Sequence, residues 1–234
     1  AGQLTGVSAV QTSGQPGLED PEIYVRGTGT LNDSSPLVLV DGVEMSFFQM
    51  DPNEIESISV LKDASATAVF GVRGANGVIL VTTRRGSEGP AKISLTSTAG
   101  ITRPTRLLQM ANSYETALRY NELELNDGKT LDQLSFSPEV IEAFRTHSNP
   151  IMYPDTDWAD YLYKDISWQT QHNINVSGGT SRVKYFASLG VLYQDGIMED
   201  LPGLDYDGNY TYNRYNFRTN LDIDATKTTK IKLS

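Results

Sequence analysis

Hydrophobic and polar positions follow different rules in the two parts of the chain. From residue 1 to about residue 88, short apolar runs are separated by glycine and proline. From about residue 92 onward, apolar and polar residues alternate with a period of two, which places one set on each face of a β-strand. One long polar segment, 103–168, interrupts that alternation. These patterns predict a small mixed α/β part followed by antiparallel strands.

The first part contains the signals of a small sheet with helical connections. Its apolar runs predict four strands, at 22–26, 37–40, 57–61 and 77–83. Asp41 and Gly42 follow the second strand as a turn, because this pair tolerates the left-handed backbone. Asp51, followed by proline, marks the start of a helical turn, and Asp63 is expected to cap a small-residue helix over 64–70. Since the central runs are apolar throughout, both faces of this sheet are expected to be covered.

The alternating part predicts long strands joined by connections of unequal length. The strands are expected at 92–102, 172–178, 183–194, 214–225 and from 230 onward. Long connections after the first and third strands alternate with short turns after the second and fourth. An up-and-down barrel with long outer loops and short periplasmic turns produces this order, whereas a β-sandwich has no reason to keep it. The pattern therefore favours the first strands of a transmembrane β-barrel.

The segment between the first two long strands carries helices of its own. Helical patterns run from Ser113 to Leu125 and from Ser137 to Phe144. Four aromatic residues near its end could stack on sugar rings, form a belt at a membrane interface, or pack the segment against the rim of the barrel. These candidates for substrate binding are Trp158, Tyr161, Tyr163 and Trp168.

Composition removes several classes of protein from consideration. The chain of 234 residues carries a formal net charge of -10, and an acidic surface repels nucleic-acid phosphates. It has no cysteine, which excludes disulfide scaffolds, thiol catalysis and zinc sites built on cysteine. His147 and His172, the two histidines, have no serine nucleophile in a recognisable turn near them. We therefore expect no enzyme activity, no cofactor and no nucleic-acid partner.

Other polar groupings have a plainer interpretation than a functional one. Asp205, Asp207 and Asn209 have the alternate spacing of calcium ligands, but the glycine and glutamate that a calcium loop requires are not at their positions. Four carboxylates could pair as in a glycosidase, although their spacing alone does not show it: Glu19, Asp20, Asp155 and Asp157. Solvated acidic loops explain both groups, so no catalytic site and no metal site is predicted.

No stretch of the sequence has the length of a membrane-spanning helix. The longest apolar runs, such as 78–81, are far shorter than the roughly 20 residues that such a helix needs. Ala1 is followed by neither the charged nor the apolar region of a signal peptide, which predicts a mature or truncated chain.

Three runs of residues carry a resemblance to a known family. Residues 38–43, 55–68 and 70–83 resemble the plug domain of TonB-dependent outer-membrane transporters, and in particular the SusC/RagA group of the Bacteroidetes. Similarity to the first barrel segments of that group continues through 157–158, 177–179, 189–190 and 195–197. The residues that carry the plug motif are Asp41, Gly42, Lys62, Asp63, Gly71, Arg73, Gly74, Asn76 and Gly77.

The resemblance implies an α+β fold with two domains. A small mixed-sheet plug domain, truncated at its N-terminus, would occupy 1–88, and the start of a β-barrel would occupy 89–234. Segment 103–168 would be an extracellular insertion and 195–213 a long loop. The family barrel has about 22 strands, so the strands predicted here would be a fragment of it. The plug would fill the lumen, held there by inward-facing polar residues of the wall: Asn216, Arg218, Asn220, Asp222 and Asp224.

For function, the resemblance implies a nutrient importer in the bacterial outer membrane. The plug would gate the lumen, and the TonB complex would act on it through a segment missing here. A SusD-like surface lipoprotein and an oligosaccharide or peptide substrate would be its partners, with outer-membrane lipid around the barrel. The resemblance does not distinguish between the two kinds of substrate.

Two other classes of protein stay open at this point. A soluble surface module that binds glycans or proteins would show the same alternation, with strands that close around a core of their own. An acidic-site hydrolase would need a pocket with two carboxylates, and no group of residues supports one. The reading frame of the gene separates these possibilities, because an importer requires a long continuation of alternating strands.

Overall fold

The chain folds into two compact units. The computed structural model describes residues 7–18, 20–25, 34–62, 68–201, 203 and 205–234. The first unit consists of the described residues up to 101 together with 168–196 and 210–234, and the second of those in 102–167 and 197–209. Within the described part of the chain, no helix is both long enough and apolar enough to span a membrane.

The first unit begins with two small sheets. Their strands are β1 (Val7–Val10), β2 (Glu22–Val25), β3 (Leu37–Val40), β4 (Val43–Glu44), β5 (Ile55–Leu61) and β6 (Val78–Thr83). β1 pairs antiparallel with β2, and the others form a sheet of order β4-β3-β6-β5, here called the mixed sheet, in which β3 and β6 are parallel. Val40, Ile79 and Val81 are buried on one face, and Leu39 and Val78 on the other. Both faces are therefore covered, as predicted.

Two connections of the mixed sheet follow the signals in the sequence. The turn between β3 and β4 consists of Asp41 and Gly42, whose φ angles are 49° and 90°. Asp51 caps a 3-10 helix, Pro52–Glu54, by accepting the backbone N–H of Asn53 at 2.8 Å. Both features have the residue types that such turns favour.

The predicted strands of this part are confirmed, with changes at some ends. β3 has the predicted bounds, whereas β5 begins at Ile55, because a register shift between Ile55 and Ser57 extends the pairing. Of the predicted helix 64–70, only 68–70 is described, and it is helical. It leads into a second 3-10 helix, Gly71–Gly74, rather than ending at the first glycine. Asp63, its predicted cap, lies outside the described residues.

A five-stranded antiparallel sheet, here called the wall sheet, completes the first unit. Its strands are β7 (Gly89–Thr102), β8 (Ser167–Gly179), β9 (Val183–Gln194), β10 (Tyr212–Asp224) and β11 (Lys230–Leu233). The order is β11-β10-β9-β8-β7, so each strand lies beside its neighbour in sequence. Short turns follow β8 and β10, and long connections follow β7 and β9, as the sequence predicts.

Three strand starts of the wall sheet differ from the prediction, and β7 begins at Gly89 rather than at residue 92. β8 begins at Ser167 rather than at residue 172, and β10 begins at Tyr212 rather than at residue 214. The predicted insertion 103–168 and loop 195–213 therefore include strand residues at their ends, and Trp168 belongs to the wall sheet. Residues 169–172 are all polar, so the start of β8 carries no alternating signal.

The two faces of the wall sheet have opposite character. On β10, Tyr215 and Phe217 are each 74% exposed, whereas Asn220 on the other face is only 1% exposed. Leu95 on β7 and Leu189 on β9 are also exposed. A soluble β-sandwich buries its apolar face, whereas the wall of a membrane barrel turns its polar face inward. The arrangement is therefore that of a barrel wall.

The described residues of the second unit form three α-helices and one 3-10 helix, Leu131–Gln133. The α-helices are α1 (Ser113–Asn126), α2 (Pro138–Thr146) and α3 (Trp158–Leu162). A side-chain oxygen caps each one at its first turn: Asn112 for α1, Ser137 for α2 and Asp157 for α3. The first two helices confirm the prediction. The third is five residues long, too short to show a helical period.

A polar cluster holds the segment after α1 against the helix. Glu124, whose side chain is 6% exposed, accepts hydrogen bonds from Lys129 Nζ at 2.6 Å and from the N–H and Oγ of Ser135 at 2.7 and 2.6 Å. Asn121, one turn earlier, donates to the carbonyl of Phe136 at 2.7 Å and accepts its N–H at 3.2 Å. The buried face of α1 is therefore polar and specifies the path of the following loop.

We expect this unit to lose stability in acid through Glu124. Hydrogen bonds from Lys129 and Ser135 lower the pKa of its carboxyl group from 4.5 to about 2. Because folding lowers the pKa, the ionised carboxylate stabilises the folded state fully above about pH 4.5, and this contribution is lost as the pH falls towards 2. Near-ultraviolet circular dichroism should show a thermal midpoint that falls across that range.

Two variants separate this effect from general acid sensitivity. Glu124→Gln should lower the midpoint at neutral pH and weaken its dependence on acid, because the neutral amide cannot titrate. Glu122→Gln changes an exposed carboxylate of the same helix and should leave the midpoint nearly unchanged. Equal loss of stability in acid for the wild type and Glu124→Gln would contradict the assignment.

Candidate functional site: a polar interface between the sheets

Strand pairing arranges the inner face of the wall sheet in rows. Each row takes one residue from β8, one from β9 and one from β10, directly opposite one another. The rows are Gln169–Gln194–Tyr212, Gln171–Leu192–Arg214, Asn173–Gly190–Asn216, Asn175–Ser188–Arg218, Ser177–Phe186–Asn220 and Gly179–Lys184–Asp222. Most members are polar, and several of them contact the first part of the chain.

An ion pair between Arg218 and Glu54 joins the wall sheet to the start of β5. Arg218 Nε lies 3.1 Å from Glu54 Oε2, and the two side chains are 18% and 2% exposed. The 3-10 turn that Asp51 caps ends at Glu54 and directs its side chain to the wall sheet. A carboxylate so deeply buried requires a compensating cation, so this pair fixes the position of the turn.

Asn220 binds the end of β6 and links the wall sheet to the motif turn. Its Nδ2 donates to Thr83 Oγ1 at 2.9 Å and to the carbonyl of Arg84 at 2.7 Å. Thr83 in turn donates its hydroxyl to Asp41 Oδ2 and its backbone N–H to Asp41 Oδ1 at 3.1 Å. Thr83 is fully buried, so its hydroxyl uses both its hydrogen and a lone pair. The Asp41 turn is thereby connected to the wall sheet through one threonine.

Three further positions of β10 contact the first part of the chain. Asp222 pairs with Arg85 at 2.8 Å, Asn216 donates to the carbonyl of Gln49 at 2.7 Å, and Arg214 donates to the carbonyl of Phe48 at 3.3 Å. Five consecutive inner-face positions of β10 therefore make polar contacts with the segments around the mixed sheet. These contacts form the candidate functional site, here called the seam.

Two glycines allow backbone to approach closely at the seam. A Cβ at Gly86 would lie 2.4 Å from both the N and the O of Tyr185, so the chain after β6 lies directly against β9. A Cβ at Gly190 would lie 2.7 Å from Asp51 Oδ2, so the missing side chain makes room for a buried carboxylate. Neither position accepts a side chain without movement of its neighbour.

The inward-facing residues of β10 that the resemblance implied are found at the seam with one exception. Asn216, Arg218, Asn220 and Asp222 make the contacts described above. Asp224 instead pairs with Lys230 on β11 at 3.2 Å. Sequence reasoning missed Arg214, at the start of the predicted strand, and also Glu54 and Thr83. The period of a strand does not show which polar residues of another sheet will face it.

The residues of the plug motif form turns and a short helix, and one of them forms an ion pair. Gly42 has a φ of 90°, and Gly77 has a φ of 96° with its backbone against Val25. Arg73 lies in the connection between β5 and β6 and forms an exposed ion pair with Glu44 on β4. The rest lie in that connection: Lys62 after β5, Gly71 and Gly74 in the 3-10 helix, and Asn76 in the turn before β6. Asp63 lies outside the described residues.

The aromatic candidates are divided between the two units. Trp158 and Tyr161 lie on α3 with their rings edge to face, 5.9 Å apart at 87°. Tyr163, in the same unit, forms an isolated β-bridge with Met198. Trp168 instead occupies β8, where it is exposed on the outer face of the wall sheet. Trp158 and Tyr161 are thus the pair that the structure brings into contact.

Three of the acidic candidates have structural partners, and Asp20 lines a cleft beside Arg214. Asp155 accepts the N–H of Ser113 at 2.7 Å, which holds the pKa of its carboxyl group below the ordinary value. Asp157 caps α3, and Asp207 accepts the N–H of Asn209 at 2.8 Å. Glu19 lies outside the described residues. Among the residues that the structure describes, no group of three or more histidines and carboxylates could hold a metal ion.

Comparisons with known proteins agree with this arrangement of sheets. Residues 1–78 match the family model described as "TonB-dependent Receptor Plug Domain". The chain is 33% identical over 232 residues to TonB-dependent receptor P26 of Formosa agariphila, covering 95% of this chain and 21% of that protein. It is 28% identical over 211 residues to TonB-dependent receptor SusC of Bacteroides thetaiotaomicron, covering 85% of this chain and 19% of that protein.

A solved structure extends the similarity to the fold. The structure of the RagAB peptide transporter aligns with a TM-score of 0.77 and 25% identity, over 98% of this chain and 27% of that chain. The first unit thus has the fold of a receptor plug joined to the first strands of a barrel wall. The chain is therefore similar to TonB-dependent receptors of the SusC/RagA type, and it spans about a fifth of the length of these curated relatives. These relatives are receptors and transporters, and not enzymes.

Proposed function

We propose that this chain supplies the plug and the first wall strands of an importer in the bacterial outer membrane. The plug would occupy 1–88, since Arg85 and Gly86 contact the inner side of the wall sheet shortly before β7 begins at Gly89. The wall would begin in 89–234. The observation that carries the proposal is the seam, because polar residues are buried between two sheets while apolar residues of the wall stay exposed.

The composition of the seam suits a plug that must move. Its contacts are ion pairs and single hydrogen bonds. A neutral hydrogen bond contributes only about 0.5–1.5 kcal/mol net to stability, because water can replace the lost partner. Displacing a plug with an apolar interface of the same area would cost more free energy, because all of the apolar surface that becomes exposed to water adds to that cost. A pull on the plug by the TonB complex would therefore open the seam contact by contact.

The other partners follow from the exposed surfaces. The apolar outer face of the wall sheet would contact outer-membrane lipid. A SusD-like surface lipoprotein would bind on the extracellular side, where segment 103–168 and loop 195–213 would lie. Trp158, Tyr161 and Tyr163 stay candidates for contact with an oligosaccharide or peptide substrate. Trp168, on the outer face of the wall sheet, would instead lie at the membrane interface. The net charge of -10 gives no support to a nucleic-acid partner.

A cross-link across the seam tests the gating role. The native chain has no cysteine, so Arg85→Cys with Asp222→Cys creates a unique pair at an existing contact. Joining the two thiols with a short bis-maleimide should abolish uptake of labelled peptides or oligosaccharides by cells and leave binding to the cell surface unchanged. Reversing the link, with a reducible cross-linker, should restore uptake.

A matched pair within one helix controls for the chemistry of cross-linking. Arg119→Cys with Glu122→Cys replaces an exposed ion pair on α1, and its cross-linked form should transport as the wild type does. Normal uptake by the protein linked across the seam would refute gating by this interface. Absence of any energy-dependent uptake in the unmodified protein would refute the importer function itself.

The proposed orientation predicts a pattern of proteolysis. Protease added to intact cells should cleave within 103–166, because that segment would lie on the extracellular side. The turns at 180–182 and 225–229 would lie on the periplasmic side and should be cut only after the outer membrane is permeabilised. Mapping the fragments by mass spectrometry checks both statements, and cleavage of 103–166 only after permeabilisation would reverse the orientation.

A further inference from the structure

Two rows at one end of the wall sheet line a cleft. These rows, Gln169–Gln194–Tyr212 and Gln171–Leu192–Arg214, lie at the end of the sheet from which the long connections leave. They line this cleft, of about 240 Å³, together with residues of the first part of the chain: Gly17, Asp20, Pro21, Phe48, Gln49, Met50 and Pro52. Sites that enclose a whole small ligand measure roughly 300–1,000 Å³, so a cleft of this size fits the end of a longer molecule.

The cleft offers amide groups beside an apolar surface. Gln49, Gln169 and Gln171 line it, and their side chains make no hydrogen bond with any residue that the structure describes. Each such amide can donate and accept in one plane, as a peptide bond does. Phe48, Met50, Leu192 and Tyr212 supply carbon surface next to these amides. This combination suits an apolar amino-acid residue with its backbone amides.

Arg214 places a positive charge in the cleft and forms no ion pair with a residue that the structure describes, although Asp20 also lines the cleft. Arg218 and Arg85, the other arginines at the seam, are paired with Glu54 and Asp222. Arg214 donates from Nη1 to the carbonyl of Phe48, and its buried Nε has no hydrogen-bond partner among the described residues. Guanidinium groups bind carboxylates through paired N–H donors, so an unmatched arginine in a cleft points to an anionic ligand group.

We propose that this cleft binds the carboxyl-terminal residue of a peptide, with its carboxylate on Arg214 and its backbone amides on the glutamine side chains. The proposal rests on the importer function above and identifies one subsite of its substrate. The charge of Arg214 favours a peptide over a neutral oligosaccharide, because the neutral sugar has no anionic group to pair with the guanidinium. An acidic sugar supplies the same charge and is therefore an arm of the test.

Equilibrium binding to the purified protein tests the subsite. The probes are tri-alanyl-leucine with a free carboxyl terminus, the same peptide with a carboxyl-terminal amide, and digalacturonate. The free acid should bind about 10- to 100-fold more tightly than the amide, as expected for a hydrogen-bonded charge pair. Arg214→Gln should remove this difference by weakening the free acid alone. Binding of digalacturonate, without binding of either peptide, would overturn the proposal.

Two comparisons separate recognition from a structural role. Arg214 also holds residues 48–50, so a merely structural role would weaken the acid and the amide equally in Arg214→Gln and would refute the subsite. Arg119→Gln, on the exposed face of α1, should leave both affinities unchanged. Equal affinities of the wild type for acid and amide, in cells that import the peptide, would refute the subsite alone. Acid-selective binding without uptake would support the subsite and refute the importer function.

Discussion

Replacing Arg218 by methionine should raise the hydrogen-exchange rate of the Arg84 amide by at least about 100-fold. That amide donates to the carbonyl of Glu54 at 2.8 Å, so it reports the attachment of the turn to β6. The substitution leaves the 2%-exposed carboxylate of Glu54 without its cation. Breaking a buried ion pair in this way typically costs about 3–5 kcal/mol, and every 1.4 kcal/mol changes an equilibrium tenfold.

The controls for this prediction use the same residue types. Arg119→Met removes the arginine of a pair whose members are 80% and 61% exposed, where the loss should be only about 0.2–1 kcal/mol. Arg218→Met combined with Glu54→Gln should restore much of the protection at Arg84, because no buried charge is left without a partner. Unchanged exchange in the single variant Arg218→Met would show that the pair does not hold the seam.

Replacing Gly86 by alanine should detach the segment after β6 from the wall sheet. The new Cβ would lie 2.4 Å from the backbone N and O of Tyr185, and backbone atoms of a paired strand cannot rotate away. Overpacking of this kind typically costs about 1–3 kcal/mol. The neighbouring ion pair between Arg85 and Asp222 should lengthen or break. Faster hydrogen exchange in 84–88 and a lower unfolding midpoint would record the change.

Gly100 on β7 provides the matched control for that substitution. Gly100 lies in the wall sheet against which Gly86 packs, and a Cβ built at Gly100 meets no atom within 4 Å. Gly100→Ala should therefore leave the unfolding midpoint nearly unchanged or slightly raised, since alanine reduces the freedom of the unfolded chain. If both alanine variants behave alike, the close approach of Gly86 to β9 is not important for stability.

Most of the fold could be predicted because its signals are local. Alternation places the long strands, and the lengths of their connections indicate an up-and-down order, which the pairing confirms. The motif residues specify turns, as at Asp41 and Gly42, because a left-handed backbone restricts the residue type. The short helix α3 and the polar start of β8 were missed, since neither contains enough residues of the right kind to establish a period.

Of the seam, only the residues that β10 contributes could be predicted from the sequence. Alternation along β10 identified four of the residues that face the mixed sheet, because residues two apart share a face whatever lies opposite. Their partners Glu54, Thr83 and Arg85 precede them by 137 to 164 residues, and no local pattern distinguishes these three from other polar residues. Contacts over such separations depend on how two sheets pack.

Arg214 and Arg218 show most clearly which features depend on the sequence alone and which depend on the tertiary structure. The sequence by itself determined that both arginines lie on the polar face of one strand, since they are separated by an even number of residues. Only the tertiary structure paired Arg218 with a buried carboxylate and left Arg214 in a cleft without an ion pair to any described residue. The physical reason is that strand geometry is local, whereas the charge opposite each arginine depends on where the turn before β5 meets the wall sheet.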